Sequence, residues 1–85
     1  MKIPDADKNF DIIVNGTDHA VPNDEVSFDA VVDIAYPDGG RGPLITYTVD
    51  FYNGGGRPTE GKLTQGQSAK VKDGTVFNVT RTDRS

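Results

Sequence analysis

Cysteine is absent from this 85-residue chain, tryptophan is absent too, and there is one histidine and one methionine. With no cysteine there is no disulfide, no thiolate metal site and no cysteine nucleophile. His19 is the only imidazole, so a histidine-based metal site or catalytic pair lacks its second member. It reads as a solvated residue on a hairpin strand. Long apolar runs are missing as well: no window approaches the roughly 18 apolar residues of a membrane span, and the opening MKIPDADKNF has no apolar signal core. The expectation is a soluble, cytoplasmic protein, and the glycosylation patterns at Asn15-Gly16-Thr17 and Asn78-Val79-Thr80 carry no weight without such a signal. Positive charge is in the minority, nine Lys and Arg against thirteen Asp and Glu, for a net charge of −4. That balance argues against a nucleic-acid backbone or an anionic membrane as the main partner.

What is present suits one small domain. Thirty-four per cent hydrophobic residues, with four Phe and three Tyr, support a single core, while ten Gly and five Pro imply many turns. One stretch, Ser27 to Tyr36, reads as a helix. Ser27 is placed to cap it, Asp29 lies near the positive end of its dipole, and Val26 can staple onto Val31. Val31, Ile34 and Ala35 recur at helical spacing and define the expected buried face, and Pro37 stops the helix at Tyr36. Asp24, Glu25, Asp29 and Asp33 then favour the helix start and solubility; they do not make a catalytic carboxylate pair.

The remaining elements are strands. Residues 1–9 are polar and aperiodic and read as a flexible arm outside the fold. Phe10, Ile12 and Val14 alternate with Asp11 and Ile13, and Asn15-Gly16 supplies a tight turn that returns the chain through Thr17 to Val21. Ile45, Tyr47, Val49 and Phe51 alternate with Thr46, Thr48 and Asp50, which predicts a central strand. Asn53 to Pro58 is a glycine loop expected to be mobile; it lacks the Gly-Lys-Ser/Thr ending of a phosphate loop and opens no helix. Gly61 to Gly66 reads as an irregular connection with Leu63 plugging the core. Gln67 to Lys72 reads as a short strand with Val71 inward, and Asp73-Gly74 turns the chain into a last strand from Thr75 to Arg81, with Phe77 and Val79 on one face.

Hairpin, helix, strand, loop, short strand and strand describe an α+β chain with a mixed sheet of four to five strands packed on one helix, the β-grasp arrangement. An all-β sandwich is the alternative, but it would force the helical periodicity of Ser27 to Ala35 into a strand. The expected organisation is an arm over 1–9, a β-grasp domain over 10–81 and a tail over 82–85.

Several segments in order resemble the bacterial multiubiquitin-type ubiquitin-like domains. They are Ile12 to Gly16 (IIVNG), the VSFDAVVDIA helix, TYTVDFYNGGG, and above all the closing GKLTQGQSAKVKDGTVFNVTRTDRS. The resemblance implies a non-enzymatic protein modifier that needs no cofactor. Its C-terminal carboxylate would be adenylated by an E1-like enzyme and passed through an E2-like enzyme to a target amine or hydroxyl, with a processing or deconjugating peptidase as a further partner. It also implies that Arg81, Thr82, Asp83, Arg84 and Ser85 form the conjugation and processing tail, projecting from the end of the last strand. The chain departs from the family pattern in having no internal repeat, and its last glycine is Gly74, so trimming exposes no Gly-Gly. The register of the strands puts Ile13, Thr46 and Tyr52 on the outer sheet face, either as ordinary surface or as a docking patch. A second functional class stays open, a non-covalent module that self-associates through its edge strands into oligomers or filaments.

Overall fold

The computed structural model describes residues 9–40, 42 and 44–83. Of the arm expected over 1–9, only Asn9 falls within them. The first strand, β1 (Phe10–Val14), turns at Asn15 and Gly16, both at positive φ (51° and 84°), into the antiparallel β2 (Thr17–Val21). Asn and Gly tolerate this left-handed geometry, which is why the two-residue turn forms where the sequence places it. A short β3 (Glu25–Ser27) leads directly into α1 (Phe28–Ala35). The Ser27 hydroxyl accepts from the Ala30 amide at 3.1 Å and so caps the helix as expected. At the other end the Tyr36 amide donates to the Val32 carbonyl at 2.8 Å, and Pro37 prevents a further turn.

β4 (Ile45–Tyr52), β5 (Gly61–Leu63), β6 (Ser68–Lys70) and β7 (Thr75–Asp83) complete the chain. The main sheet runs β2-β1-β7-β4-β5, with the first and last strands parallel and the other pairs antiparallel. One helix on a mixed five-stranded sheet is the β-grasp architecture. A second sheet of two strands, β3 and β6, pairs Val26 with Ala69.

Four expectations are corrected. The central strand is β7, flanked by β1 and β4; the period-two pattern of β4 records one buried face, which a strand next to the centre shares with the centre itself. β3 and β5 went unread because three-residue strands carry too little alternation to register as a pattern. The glycine loop has a defined path: Asn53 Nδ2 donates to the Gly74 carbonyl at 3.3 Å, the Gly54 amide to the Thr59 carbonyl at 2.7 Å and the Gly55 amide to the Lys70 carbonyl at 3.0 Å. Finally, the helix buries Phe28, Val31 and Val32, whereas Ile34 and Ala35 are only partly covered. The helix is rotated toward its N-terminal Phe28, whose amide also donates to the Gln67 carbonyl at 2.9 Å. Ile12, Val14, Val49, Phe77, Val79 and Leu63 meet this face from the sheet.

Candidate functional site

Two surfaces carry the residues singled out in the sequence. The outer sheet face opposite the helix holds Ile13, half-buried, and Tyr52, 43 % exposed. Each is directly opposite Val76, Ile13 across the parallel β1–β7 pair and Tyr52 across the antiparallel β4–β7 pair. The three therefore form one apolar row across the middle of the sheet. Val76 was missed, although its parity with respect to Phe77 and Val79 already placed it on the outer face. Thr46 lies on the same face but six residues along β4, about 20 Å from Tyr52 at the rise of a strand, so it belongs to no common patch. It sits opposite Thr82, next to a second facing pair, Thr48 and Thr80.

The second surface is the end of β7. The last strand was expected to end at Arg81 with the tail projecting from there; Thr82 and Asp83 continue it, so that Arg81, Thr82 and Asp83 lie opposite Tyr47, Thr46 and Ile45. Threonine and arginine at these positions accept the extended backbone, and β4 is long enough to pair with all of it. Arg84 and Ser85 lie outside the described residues. Side chains on the helix side hold this end together. The Tyr47 hydroxyl donates to the Gly40 carbonyl at 2.8 Å, its ring stands 5.7 Å from that of Tyr36, and the Tyr36 hydroxyl reaches the Val79 carbonyl at 3.4 Å. Arg81 donates to Asp83 at 2.8 Å. A hydrogen bond to Tyr47 is the main cause that pushes the Arg81 guanidinium above its ordinary range, with burial opposing and the charge of Asp83 adding to it.

Beside this ribbon, β5 pairs with β4 only over Val49 to Phe51. Ile45 to Thr48 border a groove of about 760 Å³ lined by Phe28, Tyr47, Val49, Leu63 and Gln65. Among the described residues no group of three or more His, Asp or Glu side chains is placed to hold a metal ion, and no helix is long and apolar enough to cross a membrane.

A mixed sheet with parallel first and last strands, wrapped on one helix, defines a ubiquitin-like domain. The family model described as multiubiquitin matches residues 10–83, and the chain belongs to that family. No curated protein and no solved structure gives a significant match. Ubiquitin-like domains of this family are in general non-enzymatic modifiers or modules.

Proposed function

We propose that the chain is a bacterial, cytoplasmic ubiquitin-like modifier that itself performs no catalysis. Its family membership over residues 10–83 carries the reading, and the position of β7 supports it: the central strand carries Arg81, Thr82 and Asp83, at the head of the proposed conjugation tail, to one end of the sheet. The carboxylate of this segment attacks the α-phosphate of ATP on an E1-like enzyme, and pyrophosphate leaves. An enzyme side chain then displaces AMP from the acyl-adenylate, and through an E2-like enzyme a target amine or hydroxyl displaces that side chain in turn. A peptidase sets which residue is terminal beforehand and reverses the linkage afterwards. The row of Ile13, Val76 and Tyr52 serves as the docking surface for these enzymes, since it is the large apolar part of a sheet face otherwise lined mainly by Thr, Asp, Asn and Lys62.

Incubation with E1-like and E2-like proteins from the same source, ATP and a peptidase tests the reading. The expected result is an adduct that maps to the C-terminal segment by mass spectrometry. No adduct from either intact or trimmed protein overturns it.

One observation favours a second reading, a non-covalent module. Among the described residues Ile45 to Thr48 have no strand beside them on the β5 side, and such an edge can pair with a second copy. Light scattering that finds only monomers across concentration counts against it.

A further inference from the structure

The end of β7 differs from the rest of the sheet. At Val76 and Phe77 the strand is flanked on both sides, by β1 and by β4. At Val79 the flank is already a side chain, that of Asn15. Among the described residues, β7 from Thr80 to Asp83 pairs with β4 alone, against Ile45 to Thr48, where β5 no longer covers the far edge. This part of the molecule is a two-stranded ribbon, a unit with marginal stability by itself. What adds to it is the cluster of Tyr36, Tyr47, Arg81 and Asp83. Gly39 makes room for that cluster, because a Cβ there would collide with the Tyr47 hydroxyl. The ribbon carries the same segment that a modifier must hand over.

We propose that the ribbon is an autoinhibitory zipper: Thr80 to Asp83 must peel away from β4, and Arg81 must leave Tyr47, before an adenylating enzyme can take up the segment. The inference rests on the modifier reading and adds a regulated step to it. An extended chain threaded into a narrow enzyme channel has its backbone amides and carbonyls facing the channel walls, so it cannot also keep its ladder to β4. A ribbon two strands wide opens at far lower cost than the core, because local openings are cheapest where few buried side chains are lost. The enzyme then supplies backbone partners in place of those on β4. The zipper also shields the segment from adventitious proteolysis while no enzyme is bound.

Two measurements test this. The first is amide hydrogen exchange by NMR: the ladder amides among Thr80 to Asp83 are expected to exchange about tenfold or more slower than in an unstructured chain, yet faster than those of Val49 and Phe77. Exchange at the unstructured rate overturns the zipper, whatever the chain is used for. The second exploits the absence of native cysteine with the double variant Thr46→Cys/Thr82→Cys, whose positions face each other across the ribbon on the side away from the cluster. ATP–pyrophosphate exchange with the E1-like enzyme is expected to fall on the order of tenfold on oxidation and to return on reduction. Equal rates in the two states overturn the gate. No exchange from wild type overturns the modifier reading and the gate with it, while the pairing itself still stands or falls on the amide rates.

Discussion

The side chain of Asn15 bonds to Val79 as a strand residue would: Oδ1 accepts from the Val79 amide at 2.8 Å and Nδ2 donates to the Val79 carbonyl at 3.2 Å. β1 has ended at Val14, yet the flank of the central strand is extended by two residues. Asn15 also sits at a φ of 51°, so it serves the turn and the sheet together. Asn15→Gly keeps the turn geometry and removes only the side chain. It is expected to cost about 1 to 2 kcal/mol in chemical denaturation, the worth of two partly buried hydrogen bonds.

Thr75 is the one fully buried polar side chain among the described residues. Its Oγ1 accepts from the Lys72 amide at 2.9 Å and lies within 2.9 and 3.0 Å of the Asn53 and Lys72 carbonyl oxygens, to one of which it donates. The hydroxyl ties the start of the glycine loop to the turn before β7. Thr75→Val preserves the shape and strands these groups, with an expected cost of about 1 to 3 kcal/mol. Faster amide exchange at Gly54 and Gly55 would show that the loop loosens with it.

Much of this fold was legible in the sequence because its larger elements carry strong periodicity. Phe10 to Val21 is a hairpin with its turn written in Asn15-Gly16, and the alternation of Ile45 to Phe51 gives a strand with the correct buried face. What could not be read depends on partners far along the chain. Nothing local tells Glu25 to Ser27 to pair with Ser68 to Lys70, or tells Arg81 to Asp83 to stay on β4 and not fray. The apolar row on the outer face was half legible: Ile13 and Tyr52 were placed there by parity, but only the register shows that Val76 stands between them and that Thr46 lies apart.

The helix face gives a third prediction. Phe28 and Val32 are 5 % and 0 % exposed, whereas Ile34 is only partly buried. Phe28→Ala is expected to cost about 3 to 5 kcal/mol, close to the whole stability of so small a domain, and Val32→Ala somewhat less. Ile34→Ala should cost clearly less than either. Urea denaturation of the three variants checks the ranking, and an Ile34 variant less stable than the Phe28 variant would mean that the helix packs in another rotation.

Lys62 supplies a dependence on pH. A 2.9 Å hydrogen bond to Asp50, followed by the attraction between the two charges, pushes its ammonium group above the ordinary 10.5. A group whose folded value is raised contributes stability that is complete below its unfolded value and disappears as pH rises through the folded one. The stability gap between wild type and Lys62→Met should therefore be constant through neutral pH and close at more alkaline pH than 10.5. Because the pair is exposed, the gap should be small and should shrink with added salt.

Gly55 tests whether the glycine loop is held as closely as its hydrogen bonds indicate. A Cβ at this position would stand 2.7 Å from the Val71 carbonyl oxygen and 2.9 Å from its carbon, both backbone atoms with no rotamer by which to yield. Val71 is itself buried, at 3 % exposure, and its amide donates to the Asp24 carbonyl at 2.8 Å, so the strain passes into the link between the small sheet and the core. Gly55→Ala must either displace the loop, losing the bond from Gly55 to Lys70, or push Val71 inward. Either route is expected to cost about 1 to 3 kcal/mol. Gly42→Ala, where the added methyl group meets nothing within 4 Å, is the matched control and should leave the unfolding midpoint nearly unchanged. If the two variants unfold together, the loop is not packed on Val71, and its three glycines serve only as a flexible connection between β4 and β5.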